Sequence, residues 1–181
     1  MLDFLLFGGF MKALIVLGII AMTAIAQAEE NKAEQSVSLL KQGDGGILAT
    51  INVDKPYVSS TPFVLDKEGN PVIFISDLAL HTKNISKNQN VSIIVNKPDK
   101  DGSYFNGSRV TVNGKMVKVT EEKEIEDCKK AYMSRYKEAQ DWADFGDFNY
   151  FKLEPKEIYL IGGFGEIDWV DLKDYKAALK K

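Results

Sequence analysis

Residues Ser76–Asn84 read S-D-L-A-L-H-T-K-N. The stretch follows two strand-like runs, opens a short helix-like segment and holds the chain's only histidine, His81. A helix start presents backbone N–H groups without intrahelical partners and the positive end of the helix dipole, a setting that suits a phosphate. Ser76, Thr82 and Lys83 add side-chain donors. Two readings stand side by side here: a site for a phosphate-bearing cofactor, or an ordinary N-capped helix on a solvated loop.

Working outward, Ile47–Val53 reads as a strand closed by the turn Asp54-Lys55-Pro56. Tyr57–Leu65 reads as the next, and Pro62 inside it costs a ladder hydrogen bond, so this position falls at an edge, a bulge or a ligand. Asp66–Asn70 is a hairpin turn into the strand Pro71–Ser76. Beyond the opening stretch, Val91–Asn96 is a strand and Ser108–Thr120 a long β-rich run. Asn113-Gly114 within that run has the composition of a tight hairpin, while the slip in alternation at Met116-Val117 equally fits a bulge in one long strand. Phe148–Leu153 and Ile158–Ile161 complete seven strand-like runs, read as a barrel of about six strands. Glu30–Gln42 looks helical, with Ala33, Val37 and Leu40 on one face. Thr120–Asp144 is amphipathic, with Thr120, Glu121 and Glu122 as its start and Ile125, Cys128, Tyr132 and Tyr136 at helical spacing. A second short helix from Lys137 carries Ala139 and Trp142, and Asp171–Lys181 is a polar tail, helical or frayed. Short turns between strands make the sheet mostly antiparallel, and the helices stand aside from it, so the expected class is an α+β barrel.

A chain of 181 residues sets a prior of one domain and can bury a core without disulfide help. The net charge is −3 and the lysines are scattered, which argues against the concentrated basic footprint of a nucleic-acid binder. Residues 1–28 read as a secretory signal: Met11-Lys12, the apolar run A-L-I-V-L-G-I-I-A-M-T-A-I, and the cleavage pattern Ala26-Gln27-Ala28. The run is too short and too weakly flanked for a stable spanning helix. Residues 1–10 contain Asp3 and no positive charge, which makes Met11 a candidate true start; an uncleaved signal anchor is the alternative. On this reading residues 29–170 form the folded domain, 171–181 a tail, and the mature chain acts in the periplasm or outside the cell, with no segment after Glu29 able to cross a membrane.

Chemistry is narrowed mainly by exclusion. Cys128 is alone, so no internal disulfide forms, and its helical phase points to core packing. One Cys and one His cannot assemble a zinc site of such ligands. No Gly-rich phosphate loop and no G-x-S-x-G are present, and no serine sits on a strained elbow to make a triad with His81. The triplets at Asn84, Asn90 and Asn106 would accept glycans only on a eukaryotic secretory route. No catalytic residue is singled out.

Six segments, taken together and in order, resemble the pyridoxamine-phosphate-oxidase-like FMN-binding split barrels. They are G-I-L-A-T at 46–50, S-S-T-P-F at 59–63, Ser76–Asn84, R-V-T-V-N-G at 109–114, F-G-D-F at 145–148, and L-I-G-G-F-G at 160–165 followed by Trp169. They are most similar to the branch of haem-utilisation proteins and secreted CREG-like glycoproteins, over roughly residues 35–170. The resemblance favours one long strand through Asn113-Gly114 and the phosphate reading of Ser76–Asn84. It implies a homodimer with FMN at the subunit interface. Carried onto this chain, Ser59, Ser60 and Thr61 would lie along the flavin ring, Ser76 near the ring or ribityl chain, and His81, Thr82 and Lys83 at the phosphate. Arg109 is a candidate ligand contact, or a strand-end arginine paired with an acid.

The chain also departs from these oxidases. They present adjacent cations to the phosphate where this chain has Thr82 and Lys83, a loss that would weaken binding by about 1–3 kcal/mol. Their substrate-phosphate arginines have no clear counterpart here, and the haem-utilisation relatives carry a further C-terminal domain. Three functions follow. One is an exported FMN-dependent oxidoreductase, with the isoalloxazine supplying the electron chemistry. Another is a non-catalytic exported binding module. The third is a haem-binding protein in which His81 would be the sole imidazole for the iron.

Overall fold

The computed structural model describes residues 22–181 except 24, 26, 30, 143, 144 and 164. The expected leader therefore lies largely outside the described residues, as does Phe164 of the last motif. Among the described residues, no helix is long and apolar enough to cross a membrane.

The chain folds as an α+β split barrel around one antiparallel sheet. Its strands are β1 (Gly46–Asn52), β2 (Lys55–Thr61), β3 (Val64–Leu65), β4 (Pro71–Ser76), β5 (Asn90–Lys97), β6 (Ser108–Lys118), β7 (Phe148–Gly163) and β8 (Glu166–Val170). The order is β2-β1-β5-β6-β7-β4-β3, with β8 also paired to β7. The two ends of that order, β2 and β3, are consecutive in sequence and joined through Pro62-Phe63. The sheet therefore curls until its edges meet at a corner. Pro62 stands at that corner, where no ladder bond is needed, and its carbonyl accepts from the Tyr132 hydroxyl at 3.2 Å.

Eight strands replace the expected six or so, for two local reasons. Pro62 divides Tyr57–Leu65 into two strands, and the glycine-rich end of β7 turns into β8, which the sequence reading left unassigned. Conversely, the two expected strands at 148–153 and 158–161 are one 16-residue strand. Its first half pairs with β4 and its second with β8 on the same edge, while β6 runs along the other. Pro155 is tolerated because it sits at a bulge. The β6–β7 register slips between Asn113 and Gly114, leaving Lys156 as the extra residue. So Asn113-Gly114 lies inside one long strand rather than in a hairpin. Gly114 is required there by close approach, since a Cβ would come within 2.0 Å of the Glu154 carbonyl oxygen. The irregularity falls earlier than the Met116-Val117 slip proposed from alternation.

Two apolar clusters flank the sheet. The larger fills the barrel with Leu48, Ile73, Ile93, Val112, Leu153 and Ile158, covered by Ala33, Val37 and Leu40 of helix α1, residues 31–42. The smaller lies between β4, β7 and helix α3 (Glu122–Arg135) with the 3₁₀ turn Lys137–Trp142, and holds Phe74, Cys128, Tyr132, Ala139 and Tyr150. Helix α3 is preceded by Glu121 with no side-chain cap, so Thr120 does not cap it as expected. Burial pushes the Cys128 thiol up to about 11, consistent with packing rather than reactivity. The C-terminal segment forms helix α4 (Leu172–Ala178), capped by the Asp171 carboxylate. Its Tyr175 is fully buried and donates to the Gly69 carbonyl at 2.7 Å, so this polar stretch docks on the barrel.

Candidate functional site

The opening stretch becomes the end of β4 and the six-residue helix α2 (Leu80–Ile85). Its entry is tied down by its own chain. The Ser76 hydroxyl donates to the Asp147 carboxylate and accepts from the Leu78 N–H at 3.0 Å. The Asp77 N–H donates to the Asp147 carbonyl at 2.8 Å, and the Asn149 amide donates to the Asp77 carboxylate at 2.9 Å. The Thr82 hydroxyl turns back to the Ser76 carbonyl at 2.6 Å, with Thr82 buried. The residue at the helix start is Ala79, which offers no side-chain cap. Of the expected phosphate donors, Ser76 and Thr82 thus spend their hydroxyls on the fold, and Lys83 stands exposed.

The inner side of α2 packs on the ends of β1 and β2. The Asn84 amide donates to the Thr50 hydroxyl at 3.0 Å, and both residues are buried. Ser59 Oγ lies 3.3 Å from His81 Nδ1, and Ile85 enters the barrel core. His81 Nε2 is buried without a hydrogen-bond partner, and burial lowers the ring's pKa, so the imidazole is neutral near pH 7. Burial of Asn84 removes that sequon as a glycan acceptor in the folded chain; Asn90 and Asn106 are exposed.

Strand alternation separates the three hydroxyls of 59–61. Ser59 faces inward opposite Leu48, whereas Ser60 faces outward opposite Ile47. Thr61 is buried, its hydroxyl donating to the Pro62 carbonyl at 3.2 Å. Arg109 is not brought to α2 within one chain. It pairs with Asn96 at the far end of β5 from Asn90, where α2 leads into that strand, and its guanidinium donates to the Tyr104 carbonyl at 3.3 Å. The structure therefore joins Ser59, Ser76, His81, Thr82 and Lys83 around α2, and adds Asp147, Asn149, Asn84 and Thr50.

The outward face of the sheet is a second candidate surface. Register places Ser60, Ile47, Ile94, Thr111, Tyr159 and Trp169 in one cross-strand row from β2 to β8. Trp169, Ile167 and Val58 on this face are more than half exposed, and the Trp169 and Tyr159 rings pack at 4.7 Å. A cleft of about 330 Å³ between residues 28–35 and β8, lined by Lys32, Gln35, Leu160 and Ile167, contains none of the expected cofactor residues.

These features test the implied groups. For FMN, Ser59 meets α2 through His81, but a phosphate at α2 would meet a single lysine, the exposed Lys83. For haem, the apolar outward face suits a porphyrin ring, whereas His81 does not suit the iron: Nδ1 faces Ser59 and Nε2 is sealed inside the fold. Among the described residues no cluster of three His, Cys, Asp or Glu could hold a metal ion.

Sheet order, corner and α2 together define a split-barrel protein with its polar seam at one end of the barrel. The chain belongs to the CREG β-barrel family, whose model matches residues 27–177. It is 31% identical over 148 residues to the chloroplastic non-canonical haem oxygenase HOZ of Arabidopsis thaliana, covering 77% of this chain but 44% of that protein. It is 32% identical over 135 residues to the haem oxygenase HutZ of Vibrio cholerae, covering 71% of this chain and 76% of that one. Among solved structures, a haem-binding protein from Mycobacterium smegmatis superposes with a TM-score of 0.73 at 23% identity, over 82% of this chain and 60% of that one.

Proposed function

We propose that this chain is a homodimeric haem-binding split barrel, with the porphyrin held as a flat apolar anion against the outward sheet face. The observation that carries the reading is the outward row from Ser60 to Trp169, exposed at Ser60, Ile47 and Trp169 and half-buried at Ile94, Thr111 and Tyr159. A monomer would leave this apolar face in water, whereas two copies face to face would bury it and enclose a flat cleft. Two relatives named as haem oxygenases support the ligand class. Because His81 Nε2 is buried and Nδ1 faces Ser59, the reading assigns no imidazole to the iron and no step of haem degradation to this chain. The leader pattern at residues 1–28 supports action outside the cytoplasm.

A second reading, an FMN-binding protein, is favoured by one contact. The Ser59–His81 approach at 3.3 Å joins a flavin-side hydroxyl to α2, the helix that also carries the exposed Lys83. Bound flavin would supply redox chemistry; Ser59 would orient the ring and Lys83 would hold the phosphate.

One experiment addresses both. The chain is titrated with haem and, separately, with FMN, while sedimentation reports its size. The haem reading expects a dimer, a Soret band saturating at a fixed stoichiometry, and loss of both in Trp169→Asp. A monomer at high concentration, or a Soret band unchanged by Trp169→Asp, overturns it. Tight FMN binding lost in Lys83→Ala would establish the second reading instead.

A further inference from the structure

We propose that α2 is a proton-operated latch: it is docked on β1 and β2 while His81 is neutral and is released when the ring takes up a second proton. A helix of six residues is too short to persist on its own, so its place depends on docking. Its polar docking contacts are His81 with Ser59 and Asn84 with Thr50. In the neutral imidazole one nitrogen carries the proton, so Nδ1 either donates to Ser59 Oγ or accepts from it, and Nε2 is buried without a partner in both tautomers. An imidazolium carries N–H on both, and the one at Nε2 then points into a space that offers no acceptor.

Among the described residues, no counter-ion compensates. The elements packed on α2 are β1 and β2. β1 contributes no charged residue, and β2 contributes Lys55 and the phenol of Tyr57. α2 itself adds another cation, Lys83. The carboxylates at the entry to α2, Asp77 and Asp147, are committed to Asn149 and Ser76. A charged ring at this seam is therefore unpaired, and leaving the seam restores its hydration. The sheet ladders do not run through α2, so release withdraws Ile85 from the core but leaves the strand pairing in place. The seam carries Ser59, His81 and Lys83, so its opening would also change ligand affinity; that consequence rests on the binding readings above, whereas the latch does not.

The test is NMR-detected hydrogen exchange on the full chain without ligand, from pH 7.5 to 4.5, corrected for the intrinsic pH dependence of exchange. The reporters are the Lys83 and Ser86 amides, bonded to the Ala79 and Thr82 carbonyls. Val112 and Leu160 in the ladder are controls. Protection of the reporters is expected to fall at least tenfold in step with the titration of the His81 ring, with the controls unchanged. His81→Phe, which keeps a ring and cannot titrate, should hold α2 protected throughout. Reporter protection that stays constant through the wild-type ring titration overturns the proposal, whether or not the Phe variant folds. So does an identical fall in His81→Phe. Haem and FMN titrations at both pH extremes read the ligand consequence separately: no binding at either pH refutes the binding readings and leaves the latch intact.

Discussion

Replacing Asn84 by Ala isolates the seam between α2 and the barrel. The side chain is 2% exposed, and its amide donates to the Thr50 hydroxyl at 3.0 Å. A buried neutral hydrogen bond contributes about 1 kcal/mol, and an abandoned partner raises the cost of losing it to about 1–3 kcal/mol. Thr50 retains only a long contact to the Tyr57 carbonyl, 3.4 Å, so its hydroxyl would be left half satisfied. These terms put Asn84→Ala at about 2 kcal/mol, or a fall of about 4–8 °C in Tm for a domain of this size. Thr50→Val removes the same bond from the other side. The double variant should then be less destabilised than the sum of the singles by about 1 kcal/mol. Urea unfolding of the four proteins measures the cycle. Single variants each costing less than about 0.5 kcal/mol, with additive effects, would show that α2 is not held by this bond.

Gly114→Ala should cost about 3 kcal/mol in the same assay, because the new Cβ meets the Glu154 carbonyl across the ladder; a cost of about 1 kcal/mol would instead fit a glycine in a hairpin turn. Val53 turns the β1–β2 hairpin at a φ of 63°, in the left-handed region, so Val53→Gly should stabilise by about 1 kcal/mol, and any loss of stability would contradict that conformation. Burial depresses the His81 pKa below 6.5 in the folded chain, so the unfolded chain binds the proton first as pH falls. Urea midpoints should therefore hold above about pH 6.5 and drop as pH falls through the folded-state pKa, and His81→Phe should remove that part of the slope.

Local patterns carried the fold well and the site poorly. Ala33, Val37 and Leu40 declare the buried stripe of α1 through their spacing alone, and Asp66–Asn70 declares its turn: the Asp66 carboxylate takes the Glu68 and Asn70 N–H groups. Both depend on neighbours within a few residues. β8 was missed because its residues are mostly exposed and its pairing is set by β7, so no alternation marks it. The fusion of 148–163 was missed because a proline normally ends a central strand, and only the facing Gly114 makes room for the bulge that tolerates it.

Donor availability follows a different logic. Ser76 and Thr82 look like ligand donors because their type and position are right; Thr82 is taken out of use by the Ser76 carbonyl six residues back, and Ser76 by an acceptor supplied from elsewhere. For Ser76 that acceptor is Asp147, 71 residues away. No window-based reading reaches so far, although F-G-D-F was visible as a motif. The run Ser59-Ser60-Thr61 is different, because period-two alternation already implies that neighbouring hydroxyls on a strand face opposite ways. Ser59 goes to the α2 seam and Ser60 to the outward row that ends at Trp169. A ligand touching both hydroxyls would have to wrap the edge of β2. One ligand is therefore expected to use one surface or the other. If haem lies on the outward face, Ser60→Lys should disturb its Soret spectrum while Ser59→Ala leaves it unchanged. The reverse pattern would move the ligand to the seam beside His81.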